Sequence, residues 1–96
     1  MSNNFALFMS LIDRFVTGLI QPGVFQFEYM QLWRKCRDSG GFSNLNTSTN
    51  NAFDRIFTTC DCYCEDLNLR DRGDLDDQQF LSEVSDIARD LHQHFD

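Results

Sequence analysis

Residues 75–95 read LDDQQFLSEVSDIARDLHQHF and carry the clearest helix signal in the chain. Asp76 is a good N-cap residue, and Gln79 stands three positions later, where its side chain completes a capping box. Leu75 and Phe80 have the spacing of a hydrophobic staple across the helix start. The apolar residues that follow recur every three or four positions: Phe80, Val84, Ile87, Ala88, Leu91 and Phe95. The stretch therefore predicts a long amphipathic helix with one buried face.

Two further helices are predicted in the first part of the chain. Helix one covers residues 4–17 and stops at Gly18, and helix two starts at Pro22 and ends at Ser39-Gly40-Gly41. Proline suits a first helical position because its fixed φ and missing N–H cost nothing there. The apolar stripe of helix one is Phe5, Phe8, Ile12, Phe15, Val16 and Leu19, and that of helix two is Phe25, Tyr29, Leu32, Trp33 and Cys36.

A polar connection, rich in Ser, Thr, Asn and Gly, is predicted between Ser39 and Asn51, with Phe42 and Leu45 pinning it to the body. Helix three follows from about Asn51, and a charged turn from residue 70 to residue 74 leads into helix four. The apolar stripe of helix three is Phe53, Ile56, Phe57, Cys60, Cys64 and Leu67. Four amphipathic helices predict an all-α fold, an antiparallel four-helix bundle, as a single domain over residues 1–96.

Charge is distributed unevenly along the chain. Residues 54–96 hold twelve acidic residues against four arginines, whereas residues 1–53 hold three acids against four bases. A negative surface attracts a basic partner, although a formal charge of −7 also serves to keep a small domain soluble. Eight Lys and Arg residues are too few for a phosphate-binding surface. Neither nucleic acid nor an anionic membrane is therefore predicted as a direct partner.

The densest acidic region, between Asp61 and Asp77, holds seven of these acids and supplies most of the candidate binding residues. The candidates are Asp61, Tyr63, Glu65, Asp66, Asp71, Asp74 and Asp77. Favourable interaction with a helix dipole accounts for Asp76 and Asp77 but leaves the other acids without a local reason. Tyr63 is either an aromatic contact at an interface or a partly buried residue of the bundle, and both interpretations stay open.

The residues of known catalytic motifs are missing from this sequence. It has no glycine-rich phosphate loop after a strand, no nucleophile elbow and no His-Glu-x-x-His motif. His92 and His94 fall in the last turn of helix four, where a cation complements the helix dipole. The sequence therefore predicts a binding protein rather than an enzyme, with no cofactor.

The beginning of the sequence lacks the basic end and cleavage site of a secretory signal, and no apolar run reaches the length of a membrane span. A cytoplasmic protein is expected, in which the cysteines remain thiols. Cys36, Cys60, Cys62 and Cys64 do not form the two pairs typical of structural zinc. Packing as small core residues is the favoured interpretation, and a metal- or redox-responsive domain is the alternative.

Five segments carry a resemblance to a known family. They are Phe8-x-x-x-Ile12-x-x-Phe15-Val16-x-Gly18, Gly23-Val24-Phe25-Gln26-Phe27-Glu28-Tyr29-Met30, Phe53-Asp54-Arg55-Ile56-Phe57, Asp61-x-Tyr63-x-Glu65-Asp66 and Asp76-Asp77-Gln78-Gln79-Phe80-Leu81. With these segments the chain resembles the colicin D immunity family, small helical proteins that protect bacteria from colicin-like and contact-dependent growth inhibition toxins. It departs from the family pattern in its run of cysteines and in Gly23, where a small polar residue is more usual.

The resemblance implies a bundle that binds the carboxy-terminal toxin domain of a cognate effector, as a monomer that forms a 1:1 heterodimer. In similar proteins that domain is an RNase, often one that cleaves tRNA. The resemblance implies that Asp61, Glu65 and Asp66 contact the toxin. Asp71, Asp74 and Asp77 are added to the site only because they lie near these residues. An acidic adaptor, or a nucleic-acid mimic that inhibits another basic protein, is the alternative function.

Overall fold

The structure is a computed structural model that describes residues 4–44, 47–63 and 75–95, and these ranges hold four α-helices. They are α1 (Asn4–Val16), α2 (Pro22–Asp38), α3 (Thr47–Cys62) and α4 (Asp77–Phe95), with a 3₁₀ helix at Gly41–Asn44 between α2 and α3. Extended pairing in the described ranges amounts to one isolated bridge, between Tyr63 and Leu75. None of the described helices combines the length and the apolar character needed to cross a membrane.

Consecutive helices run in opposite directions, as the ring contacts at their ends show. Phe15, near the end of α1, stacks on Phe25 near the start of α2, with 4.3 Å between the ring centroids. Tyr63, which directly follows α3, stacks on Phe80 in the first turn of α4 at 4.5 Å. The helices thus pack as the predicted antiparallel four-helix bundle, and the all-α fold class is confirmed.

The core is built mainly from aromatic rings. Phe8 lies at its centre and packs against Tyr29 and Phe53, with centroids 5.3 and 4.5 Å away. The buried residues that the stripes predicted correctly are Phe8, Ile12, Phe15, Phe25, Tyr29, Cys36, Phe53, Ile56, Cys60, Phe80, Val84, Ile87, Ala88 and Leu91. Interdigitated rings and aliphatic side chains of this kind exclude water from the bundle interior.

The end of α1 follows the prediction for Gly18 but not for Leu19. Gly18 adopts a φ of +82°, a conformation that favours glycine. The N–H of Leu19 donates to the carbonyl of Arg14 at 2.8 Å, and the N–H of Gly18 donates to that of Phe15 at 3.0 Å. These two bonds form a Schellman motif, which turns the chain away from the helix axis. The expectation that Leu19 extends the buried stripe was therefore wrong, and its side chain is 74% exposed.

The start of α3, at Thr47, lies four residues before the predicted start. Thr49 is buried, and the side-chain amide of Asn50 donates to the carbonyl of Phe42 at 3.1 Å, so tertiary contacts hold this polar first turn in place. Phe42 does pin the connection to the core, as predicted. The prediction for Leu45 lies outside the described residues.

The end of α3, at Cys62, comes before the end of the predicted apolar stripe. The N–H of Tyr63 bonds back to the carbonyl of Cys60 at 3.2 Å, and Tyr63 then pairs with Leu75 instead of continuing the helix. Tyr63 itself therefore lies outside α3, although the predicted stripe placed it within the helix. The described residues do not include Cys64, Leu67 or the predicted turn from Arg70 to Asp74.

The start of α4 confirms the predicted capping box. The N–H of Asp76 donates to Oε1 of Gln79 at 3.0 Å, and the N–H of Gln79 donates to Oδ1 of Asp76 at 2.8 Å. Leu75 is half-buried against the core, which agrees with its predicted role in a hydrophobic staple. Two N–H groups that a helix start leaves without helical partners are thereby satisfied.

Candidate functional site

The end of α3 and the start of α4 are joined by hydrogen bonds at the two ends of the predicted acidic segment. The N–H of Leu75 donates to the carbonyl of Cys62 at 2.9 Å, next to the bridge between Tyr63 and Leu75. The hydroxyl of Tyr63 donates to Oδ1 of Asp77 at 2.5 Å. The residues around Cys62, Tyr63, Leu75 and Asp77 therefore form one junction at this end of the bundle. Four of the predicted site acids have sequence positions between 64 and 74, outside the described residues.

The side chain of Gln26, in α2, forms hydrogen bonds with this junction. Its side-chain amide donates to the carbonyl of Cys60 at 2.7 Å and to the carbonyl of Tyr63 at 2.8 Å. Carbonyl groups at and beyond the end of a helix lack helical partners. The side chain of Gln26 satisfies the carbonyl of Tyr63 and adds a second hydrogen bond to that of Cys60, which also accepts from the N–H of Tyr63. This role of Gln26 has no signal in the local sequence, because its partners lie 34 and 37 residues away along the chain.

Tyr63 occupies the core, which is the second of its two predicted environments. Its side chain is 5% exposed and stacks on Phe80 with an angle of 16° between the ring planes. A ring in this position has little surface left to offer to a partner. Its visible contribution to the site is the hydrogen bond that orients the carboxylate of Asp77.

Two of the predicted acidic residues lie in the described structure, and both are exposed at this end of the bundle. Asp61 lies in the last turn of α3, and Asp77 is the first residue of α4. Within the described part of the chain, Asp61 makes no ion pair and no side-chain hydrogen bond. The other predicted acids, Glu65, Asp66, Asp71 and Asp74, lie outside the described residues.

The arginines of α3 and α4 lie away from this acidic end. Arg55 reaches Asp90 at 4.0 Å, and Arg89 reaches Asp86 at 3.5 Å, with all four side chains exposed. Arg55 is six residues from Asp61, about 9 Å along the helix axis. These exposed pairs add little stability, but they neutralise carboxylates on the outer face of α4 rather than those at the junction.

The family of the chain follows from a comparison with models of known protein families. A family model described as bacterial self-protective colicin-like immunity matches residues 4–91. The chain belongs to this family of colicin-like immunity proteins. The match covers nearly the whole chain and includes the junction between α3 and α4. Neither the search of curated proteins nor the search of solved structures found a match.

Family membership has two direct consequences for this immunity protein. Its partner is a cognate toxin, and its role is to neutralise that toxin. The predicted resemblance to the immunity proteins of colicin-type toxins is thereby confirmed.

Two of the three described cysteines of the immunity protein lie in its core. Cys36 and Cys60 are buried, Cys62 is exposed, and all three are free thiols. Burial, together with the negative charge of Asp61, raises the pKa of the Cys60 thiol from its ordinary 9.0 to about 12. A neutral thiol packs as a small apolar group, whereas a metal requires the thiolate. Among the described residues, no three His, Cys, Asp or Glu side chains are grouped to hold a metal ion.

A cleft of about 510 Å³ opens beside the junction, between the α1–α2 turn and the first turn of α4. Its walls include four apolar residues and three polar ones: Phe15, Ile20, Pro22, Leu81, Gln21, Asp77 and Gln78. A smaller cleft of about 300 Å³ lies at the other end of α3, beside Trp33 and Asp54. Neither cleft was predictable from the sequence, because each one is lined by residues that are distant along the chain.

Proposed function

We propose that this immunity protein neutralises a cognate nuclease toxin by holding the acidic end of the bundle against the basic active site of the toxin. The substrate-binding surface of a nuclease toxin is basic because it must bind phosphate groups. Carboxylates compete for the same arginines and lysines through short, charge-assisted hydrogen bonds. Inhibition then needs no chemistry from the immunity protein, only occupation of the site where RNA binds.

The observation that carries this proposal is the exposed pair Asp61 and Asp77 at the junction, in a chain that belongs to an immunity family. The junction also bounds the segment that contains Glu65 and Asp66, the acids that match the acidic segment of similar proteins. Asp61, Glu65 and Asp66 are therefore the first toxin contacts in the proposal. Asp77 extends the site, and so do the neighbouring acids Asp71 and Asp74.

Tyr63 has a positioning role in this proposal. Because its ring is packed against Phe80, its effect on the toxin passes through the hydroxyl that holds Asp77. Loss of that hydroxyl is expected to weaken toxin binding less than loss of the acids themselves. The complex is proposed to contain one immunity protein and one toxin domain and to form in the bacterial cytoplasm.

A tRNA-cleaving RNase is the proposed toxin class, as in similar immunity proteins. The test is to express the carboxy-terminal domain of the toxin encoded next to this gene, with and without the immunity protein. Survival and intact tRNA only in the presence of the immunity protein are expected. If the immunity protein protects the cells, but the toxin alone damages DNA or a protein instead of tRNA, the immunity role is retained and the RNase is rejected.

The alternative is an acidic adaptor, or a nucleic-acid mimic that blocks another basic protein. The net charge of −7 favours a basic partner equally well in that case. Purification of the immunity protein together with its neighbouring toxin domain separates the two functions. A 1:1 complex supports immunity, whereas failure of the two purified proteins to bind favours the adaptor.

A further inference from the structure

We infer that the cleft between the α1–α2 turn and α4 is the apolar half of the toxin interface, and that it receives an apolar toxin side chain flanked by a lysine or arginine. This inference rests on the proposed function, since it assigns to the toxin a second contact beside the acidic end. The cleft volume is about 510 Å³, with the buried ring of Phe15 among its lining residues. An apolar anchor in a pocket of this kind is typical of the energetic centre of a protein interface.

Apolar side chains line the cleft or lie next to its lining residues in the sequence. Leu19, between two lining residues of the α1–α2 turn, is 74% exposed, and Leu81 on the α4 side is 36% exposed. Ile20 and Pro22 are half-buried in the same wall. A single exposed leucine carries no information, but a concave group of apolar residues gains stability when a partner removes it from water.

The charge beside the cleft selects the kind of partner. Asp77 lines the cleft and is held by Tyr63, so its carboxylate has a defined position at the rim. Asp61 adds a second negative charge at the same end of the bundle. Arg14, in the last turn of α1, points its Nε back along the helix to the carbonyl of Ser10 at 3.4 Å and does not line the cleft. A basic group next to the inserted apolar side chain is therefore favoured.

The smaller cleft offers a useful contrast. It also contains aromatic side chains, Trp33 and Phe42, and one carboxylate, Asp54. However, the guanidinium of Arg37 lies over the ring of Trp33, 5.5 Å from its centroid, and places a positive charge beside that cleft. Because that guanidinium also pairs with Asp38 at 3.2 Å, it offsets the carboxylate of Asp54 only in part. The larger cleft is the better docking site for a basic toxin because it lies at the acidic end of the bundle.

Both walls of the larger cleft are held by local hydrogen bonds in the free protein. The Schellman motif around Gly18 fixes the α1–α2 turn, and the capping box between Asp76 and Gln79 fixes the start of α4. A preformed cleft costs little ordering entropy when a partner binds. The toxin is therefore expected to dock without a rearrangement of these two walls.

The test compares two leucine variants with a matched control. The double variant combines Leu81→Ser, which removes an apolar side chain that lines the cleft, with Leu19→Ser, which removes the exposed leucine between two lining residues of the α1–α2 turn. The control, Leu7→Ser, alters a leucine of α1 that is 51% exposed and does not line the cleft. The purified toxin domain is titrated by calorimetry, after circular dichroism has verified each fold. The double variant is expected to lose at least about ten-fold in affinity, or about 1.4 kcal/mol, with an unchanged salt dependence, whereas Leu7→Ser stays within about two-fold.

A second variant keeps the test informative if the double variant does not fold. Gln78→Lys places a positive charge in the cleft on the exposed surface of α4, and Gln31→Lys adds the same charge on the exposed surface of α2. Gln78→Lys is expected to weaken binding at least about ten-fold more than Gln31→Lys, because only the former faces the basic group of the toxin. Equal effects of the two lysines would overturn the inference.

The remaining outcomes separate the failure of this inference from that of the proposed function. Wild-type affinity in the double leucine variant would overturn the cleft assignment while leaving the acidic interface intact. A wild-type protein that does not bind the toxin would reject both proposals. A wild-type dimer that the leucine substitutions dissociate would assign the cleft to a second copy of this chain instead, and light scattering distinguishes that case.

Discussion

The hydroxyl of Tyr63 donates a hydrogen bond of 2.5 Å to the carboxylate of Asp77, and this bond joins the end of α3 to the first turn of α4. The ring that carries the hydroxyl is buried against Phe80. The bond therefore couples the hydrophobic core to an exposed carboxylate of the proposed toxin surface. Its effects on stability and on binding are separable, because phenylalanine retains the ring without the hydroxyl.

Tyr63→Phe is expected to lower the free energy of unfolding by about 1 kcal/mol, since one hydrogen bond to a charged but exposed group is lost. A double-mutant cycle with Asp77→Ala, followed by urea unfolding, measures the coupling. About 1 kcal/mol of coupling is expected for residues in direct contact. Strict additivity of the two substitutions would show that the bond does not stabilise the junction.

The capping box of α4 supports a second prediction. Asp76→Ala removes the acceptor for the N–H of Gln79 and is expected to cost about 1 kcal/mol of stability. Asp76→Ser keeps a capping oxygen and is expected to cost only a few tenths of that amount. Gln78→Ala, at an exposed neighbouring position outside the box, is the control for urea midpoints. Equal midpoints for all three variants would contradict the capping role.

The helix boundaries show which parts of this fold were predictable from sequence. The start of α4 depends on residues 76 and 79, and the end of α1 depends on Gly18, so local chemistry is sufficient in both cases. The first turn of α3 was missed because Thr49 and Asn50 are polar. Their helical conformation is stabilised by burial and by a bond to Phe42 rather than by an amphipathic pattern.

The candidate site was predictable to a similar extent. Exposure of Asp61 followed from its position opposite the apolar stripe of α3, and the structure agrees. The burial of Tyr63 and the capping by Gln26 depend on contacts between helices, so periodicity alone did not reveal them. Leu19 illustrates the opposite error, since it has helical spacing but follows the glycine that ends the helix.

Alkaline pH provides a third test, through Cys60. Burial raises the pKa of this thiol from 9.0 to about 12, so the folded protein retains a proton that the unfolded chain loses above about pH 9. The contribution of Cys60 to stability is constant below pH 9. It then falls as pH rises toward 12, by at most about 1.4 kcal/mol per pH unit.

The measurement is a series of urea unfolding curves between pH 8 and pH 11 for the wild type and for Cys60→Ala. The variant is expected to lose stability less steeply above pH 9. Burial also raises the pKa of Tyr29, so the free energy of unfolding of both proteins falls further at alkaline pH. Identical slopes for the two proteins would mean that the Cys60 thiol ionises normally in the fold.

Replacement of Cys60, Cys62 and Cys64 together by alanine is expected to leave protection from the toxin intact, with a modest loss of stability. Serine at position 60 is expected to cost more than alanine, because burial would desolvate a hydroxyl without a partner. Survival during toxin expression and the urea midpoint are the two readouts. Loss of protection by a folded variant, or loss of helical circular dichroism after a chelator, would favour a metal or redox role.

The central claim is that carboxylates at the acidic end bind the toxin, and the kinetics of toxin binding at two salt concentrations test it most directly. The variant carries Asp61→Asn, Glu65→Gln and Asp66→Asn. The charge-matched control carries Glu83→Gln, Asp86→Asn and Asp90→Asn on α4. Both variants must first retain the helical circular dichroism spectrum of the wild type.

The acidic-end variant is expected to lose about 2–5 kcal/mol of binding free energy for any charge whose partner is left buried and unpaired. Carboxylates on the rim are expected to slow association and to reduce its salt dependence, because exposed charges are screened by salt. The α4 control should keep the affinity and the salt dependence of the wild type. Unchanged affinity and unchanged salt dependence in the acidic-end variant would contradict the claim and place the toxin on another face.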